Sequence, residues 1–141
     1  MKKLLFVLLF LSGLPLVYLS GCSSIDRFMI AQYDPGEYSL INKVRSTAEL
    51  AQPYCNDLAT IKIVSENLND MALELKNYSQ YLPRNEQTFK PVDLLHVLTT
   101  DLQKRYSTSK EINKTYCELK LKSIASSAEE IQKVIAKRPR S

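Results

Sequence analysis

An all-α fold, either an antiparallel helical hairpin or a small three- to four-helix bundle, is what this sequence predicts, and three observations predict it. Apolar residues recur every third or fourth position over most of residues 37–138, the period of a helix with one buried face. Gly is scarce, with 3 in 141 residues, and Trp is absent, while Leu, Lys, Ser, Ile and Ala abound. That composition suits helices better than a turn-rich sheet protein. A polar, proline-marked break at Leu82-Pro83-Arg84-Asn85 divides the periodic region into two long stretches.

The chain opens on Met1-Lys2-Lys3, a short positive segment, followed by an apolar run over residues 4–18. The uncharged stretch is about 20 residues at most and carries Gly13 and Pro15, which suits an export signal better than a spanning helix. It ends in Leu19-Ser20-Gly21-Cys22. Behind the lysine pair and the apolar run, this tetrapeptide resembles, residue by residue, the lipobox of bacterial lipoproteins. The resemblance covers residues 1–22 alone. It implies removal of residues 1–21, a thioether between diacylglycerol and the Cys22 sulfur, and attachment to a membrane through that lipid. Small side chains at Ser20 and Gly21 fit a narrow protease site that takes an extended peptide. Each buried methylene contributes roughly 0.8 kcal/mol, so two or three acyl chains such as palmitate hold firmly where one binds reversibly. Position 23 is Ser and not Asp. In a Gram-negative envelope the resemblance then implies an outer-membrane address facing the periplasm. An ordinary secretory signal or an uncleaved anchor is the alternative, and both leave the rest of the chain outside the cytoplasm.

Residues 22–36 are read as the lipidated start and a tether. Ile25, Phe28, Met29 and Ile30 make this tether unusually apolar, so it is expected to dock on the bundle, with the membrane surface as the alternative. With Cys22 lipidated, Cys55 and Cys117 remain. An even remainder in an oxidising compartment argues for a disulfide between them, two buried thiols being the rival. A metal site has little support, since His96 is the only histidine and no close cysteine pair exists.

Residues 37–138 form the helical domain. Asp34-Pro35-Gly36 reads as a turn and helix start. The stripe then runs through Ile41, Val44, Ala48, Ala51, Cys55, Leu58, Ile61, Val64, Leu68, Met71, Leu75, Tyr78 and Leu82. Pro53 lacks an amide proton and crowds the preceding turn, so it should bend the helix or restart it. Lys90-Pro91 is expected to open the second stretch, with Pro91 in the first turn. That stretch carries Leu95, Leu98, Leu102, Tyr106, Ile112 and Tyr116, then Leu121, Ile124, Ala128, Ile131 and Ile135. Thr108 and Glu111 have capping-box spacing and mark a place where a separate helix could begin.

Two helices joined by a short loop lie antiparallel. Cys55 and Cys117 are centred on position 86, at the loop. Keeping their sum of 172 pairs Ala51 with Leu121, Ala48 with Ile124, Val44 with Ala128 and Ile41 with Ile131, apolar against apolar at every step. Nearer the loop the stripes match better at a sum near 177, as in Leu75 with Leu102 and Met71 with Tyr106. A kink at Pro53 or a break near Ser107-Thr108-Ser109 would absorb the difference and turn the hairpin into a bundle.

The chain has 19 basic side chains, of which Lys2 and Lys3 lie in the leader, leaving 17 against 15 acidic ones. That near-neutral balance argues against a nucleic-acid partner. No Gly-rich phosphate loop, HExxH or GxSxG occurs, so no catalytic residue and no cofactor site is assigned. His96, with Asp93 and Asp101 nearby, reads as a helix-surface histidine. Asn77-Tyr78-Ser79 and Asn113-Lys114-Thr115 read as chance matches to glycosylation acceptors in a bacterial export context. Tyr78, Tyr81, Leu82, Arg84 and Phe89 flank the loop, which in a hairpin is the tip farthest from the anchor. They form the candidate partner-binding cluster, with local packing as the other reading. The basic tail, Lys137-Arg138-Pro139-Arg140 with residues 139–141 beyond the domain, either touches lipid phosphates or frays in solvent.

The function expected from these features is a non-catalytic binding or scaffold module, held in the envelope by lipid and engaging an envelope protein. An oligomer is compatible with it. The alternatives are an inhibitor of an envelope enzyme such as a cell-wall hydrolase, acting through Arg84 to Phe89, and an exclusion lipoprotein of a phage or plasmid.

Overall fold

The computed structural model describes residues 30–140. The leader, the lipobox, Cys22 and the tether through Met29 lie outside the described residues. Within them the chain forms four helices, α1 (Pro35–Ala51), α2 (Leu58–Tyr81), α3 (Glu86–Ser107) and α4 (Lys114–Ala136), and a 3-10 turn (Gln52–Tyr54) after α1. Of the two expected architectures this is the bundle. Each helix packs on the next, and α4 closes back on α1.

Local sequence sets each boundary. The Asp34 carboxylate accepts a hydrogen bond from the Glu37 amide at 2.8 Å, and Pro35 fills the first position of α1, where no amide proton is needed. Pro53 restarts the helix: the chain turns through the 3-10 segment, and Asp57 caps α2 by accepting from the Ala59 and Thr60 amides. Residues 82–85 join α2 to α3, with Arg84 at φ 62°, a left-handed conformation that reverses the chain tightly.

Two boundary expectations need correction. α3 starts at Glu86, so Pro91 lies inside the helix and not in its first turn. The Asn85 carbonyl already accepts from the Thr88 and Phe89 amides, at 3.0 and 2.8 Å, and nucleates the helix there. Thr108 and Glu111 form no capping box. Ser109 and Glu111 bond within the loop, and Asn113 caps α4 by accepting from the Tyr116 amide at 2.9 Å.

Side-chain pairs fix the directions. Glu37 meets Ser79 and Thr47 meets Met71, so α1 and α2 are antiparallel. Lys76 with Asp93 and Asn69 with Thr100 set α3 against α2, and Asp101 with Lys120 sets α4 against α3. The Cys55–Cys117 disulfide, with Cα atoms 5.6 Å apart, ties the far end of α1 to the start of α4. The apolar pairs predicted for α1 and α4 are all buried: Ile41, Val44, Ala48 and Ala51, with Leu121, Ile124, Ala128 and Ile131. The predicted α2–α3 register is corrected. Lys76–Asp93 and Asn69–Thr100 sum to 169, not 177, because the tight turn at residues 82–85 centres the pair there and holds the register close to its own sum.

This topology has one consequence for the site. The point where the chain enters α1, the loop at residues 82–85 and the end of α4 all lie at one end of the bundle. The disulfide, the 3-10 turn and residues 108–113 lie at the other. The loop is therefore at the same end as the start of α1, and not at the opposite end, as a two-helix hairpin would put it.

Candidate functional site

The entry end is built around a buried polar cluster. Glu37 is fully buried and sits in the first turn of α1, where the helix dipole favours a carboxylate. Its Oε1 accepts from Ser79 Oγ of α2 and from Asn85 Nδ2 of the loop, both at 2.7 Å. Its Oε2 accepts from Arg138 Nη1 at 2.6 Å, and the side chains of this pair are 0% and 4% exposed. Arg138 Nη2 donates to Asn85 Oδ1 at 2.5 Å and to Thr88 Oγ1 of α3. Asn85 Nδ2 also donates to the Ser79 carbonyl at 2.9 Å. One ion pair thus joins α1, α2, the loop, α3 and the segment after α4. Among the described residues no buried side-chain nitrogen or oxygen lacks a partner.

Sequence reasoning missed this cluster, and it corrects the reading of the basic tail. Arg138 is 7% exposed and neither solvated nor free for lipid. Beyond it the Pro139 carbonyl accepts from the Tyr33 amide at 3.0 Å, and the Arg140 guanidinium lies 4.9 Å from the Tyr33 ring centre. A signal was available: the 172 register already placed Glu37 within one turn of Arg138.

The residues proposed around the loop differ in environment. Tyr78 donates its hydroxyl to Asp34 Oδ1 at 3.0 Å, and that bond, more than burial, pushes its pKa up. It closes the start of α1, which is the local-packing reading. Leu82 and Phe89 are half-buried, and Arg84 is exposed. Tyr81, 81% exposed, projects alone. The aromatic pairs lie elsewhere, Tyr33 with Tyr38 at 5.8 Å and Tyr106 with Tyr116 at 6.3 Å.

An apolar groove of about 350 Å³ lies between α3 and α4. Pro91, Leu94, Leu95 and Leu98 form one wall, Ile131 and Val134 the other, with Gln87 and Glu130 among its polar lining residues. Leu94 is 65% and Val134 45% exposed. Leu95, Leu98 and Ile131 belong to the predicted stripe, but Pro91, Leu94 and Val134 fall beside it, and no sequence signal marked the face they form together. A second recess, polar and about 610 Å³, lies at the disulfide end against Arg105 and residues 108–115. His96 is half-buried on α3; burial first, and then Lys76, hold its pKa below the ordinary 6.5. Asp93 pairs with Lys76 and Asp101 with Lys120. Among the described residues no group of three or more His, Cys, Asp or Glu side chains could hold a metal ion, and no helix is long and apolar enough to cross a membrane. Comparison with protein-family models, curated proteins and solved structures returns no match.

Proposed function

We propose that this chain is a lipid-anchored protein of a bacterial envelope whose bundle binds a partner protein through the α3–α4 groove and carries out no chemistry itself. The lipobox at Leu19-Ser20-Gly21-Cys22 supports the anchor, and a disulfide across the bundle suits an oxidising compartment such as the periplasm. In a Gram-negative envelope the same resemblance gives Ser23 an outer-membrane address.

The observation that carries the binding role is the groove. Leu94 and Val134 stand in water on either side of an apolar trough with polar groups in its lining, the anatomy of a protein-binding patch. This moves the docking surface away from Tyr78, Tyr81, Leu82, Arg84 and Phe89. Inhibition of an envelope enzyme by the loop at residues 82–85 is less favoured, because a loop beside the chain entry gains little reach from the bundle.

Site-specific photocrosslinking in intact cells tests the reading. A crosslinker at Leu94 or Val134 should capture one discrete protein, and the same reagent at exposed Lys122 should not. Leu94→Asp should abolish capture from Val134 while the helical circular dichroism is kept. Equal capture from all three positions, or capture indifferent to Leu94→Asp, removes the groove from the proposal.

A further inference from the structure

The four-helix topology gathers at one end of the bundle groups that are far apart in sequence. Tyr81 at the end of α2, Arg84 in the loop, and Lys137 and Arg140 after α4 are all exposed there, beside the entry of the chain at Tyr33. The acidic side chains of this end are largely engaged. Glu37 is held by Arg138, and Asp34 caps α1 and accepts from Tyr78, which leaves Glu86 exposed in the first turn of α3. Lys90, also exposed, follows one turn later.

We infer that this end is a lipid-facing surface, resting on anionic phospholipid headgroups with Tyr81 at the interface and Arg84, Lys137 and Arg140 against phosphates. The inference rests on the proposed acylation of Cys22 and adds an orientation to it. Eleven residues lie between Cys22 and Asp34, and the twelve steps from one to the other span roughly 40 Å at most. The disulfide end stands farther off by the length of α2, whose 24 residues extend about 36 Å. A tyrosine ring is stable at headgroup level because its body is apolar and its hydroxyl wet. Each exposed Lys or Arg strengthens attachment to an anionic surface about fivefold, less where salt screens it.

Charge alone does not select this end, since Lys104, Arg105, Lys110 and Lys114 are exposed at the other. An exposed aromatic does not select it either, since Tyr54 is 53% exposed at the disulfide end; what selects this end is that the chain enters here, where Tyr81 and the basic side chains are gathered. The orientation leaves the α3–α4 groove along the side of the bundle open to a partner.

The chain lacks tryptophan, so a single one reports position. The acylated full-length protein carrying Tyr81→Trp, and separately Thr108→Trp, is reconstituted into vesicles of phosphatidylethanolamine and phosphatidylglycerol with brominated acyl chains. The orientation expects Y81W emission to fall about twofold or more and T108W emission to stay unchanged. Adding R84E, K137E and R140E together should remove the Y81W quenching without loss of helical signal, whereas K110E with K114E should leave it. Vesicle-bound protein with equal quenching at both positions, no quenching of Y81W, or quenching indifferent to the triple reversal overturns the orientation while the anchor stands. Protein that does not float with the vesicles overturns the anchor and the orientation with it.

Discussion

Arg138→Met should be among the most destabilising single substitutions in this chain, although Arg138 lies two residues beyond the last helix. It removes three donated bonds, to Glu37, Asn85 and Thr88, and leaves the Glu37 carboxylate buried with only Ser79 and Asn85 to support it. Breaking a buried ion pair from one side costs about 3–5 kcal/mol, because the surviving charge has lost its partner and cannot reach water. A domain of this size holds about 5–15 kcal/mol in all, so a large share of its stability is at stake. Glu37→Gln should cost a similar amount, since its amide would point donors at the Arg138 guanidinium. The double variant E37Q/R138M should lose much less than the two singles together, because no buried charge is left unpaired. Urea unfolding followed by circular dichroism at 222 nm reads all three. Losses below about 1 kcal/mol for both singles, or strict additivity in the double, would show that water reaches the pair and that the cluster does not join the helices as described.

Three further perturbations test other parts of the fold. Replacing Cys55 and Cys117 by Ser opens a loop with a sequence separation of 62, which costs about 4 kcal/mol on the chain-entropy model; unchanged unfolding midpoints with and without reductant would contradict the bridge. Gly36→Ala should fail to deliver the roughly 0.5–1 kcal/mol that Ala normally adds to a helix, because its Cβ would lie 2.5 Å from the Tyr78 hydroxyl. Pairing it with Tyr78→Ala should restore that increment relative to Tyr78→Ala alone, and a plain gain in the single variant refutes the contact. His96, the sole histidine, should titrate below 6.5 by NMR and shift upward on Lys76→Ala. Since its folded pKa lies below the unfolded value, the unfolded chain binds more protons in acid. The His96 contribution therefore lowers stability as pH falls through the ordinary histidine range. A midpoint at or above 6.5 would mean that its ring is fully solvated.

What could be read from the sequence was whatever depended on period and spacing. Ile41, Val44, Ala48, Leu121, Ile124 and Ala128 announced both their helices and their burial, because a stripe at helical spacing must face the core to keep its apolar groups dry. Pro53 and Asp34 marked boundaries through backbone chemistry that does not depend on tertiary context. Pro91 misled because its preference for a first turn is weaker than the nucleation provided by Asn85 six residues earlier. The Glu37–Arg138 pair was harder to see, since charged residues at chain ends look solvated until a third and a fourth helix cover them. The groove was hardest. Leu94 and Val134 differ from core leucines and valines only in facing a seam that α3 and α4 leave partly open, and periodicity carries no information about which seam stays open.

The distribution of ties suggests why that seam is the open one. α1 and α4 are held by the disulfide at one end, by Glu37 and Arg138 at the other, and between them by Gln132, which accepts from Arg45 and donates to Asn42. α2 and α3 are joined by a short loop, by Thr100 donating to Asn69, and by Lys76 with Asp93, a half-exposed pair worth little on its own. Along the α3–α4 seam the ties are Thr88 with Arg138 at the entry end, Lys120 with Asp101 at 3.7 Å and the Tyr106 hydroxyl on the Asn113 carbonyl. Between Thr88 and Asp101 nothing polar crosses, and that interval is where Pro91, Leu94, Leu95 and Leu98 face Ile131 and Val134. A partner inserting an apolar side chain there would displace water from an existing trough and would break no bond inside the bundle. The same partner at the α1–α4 seam would have to separate a covalent bridge from a buried ion pair. The bundle is closed where its chain enters and where its cysteines meet, and the side left able to accept a guest lies between those two closures.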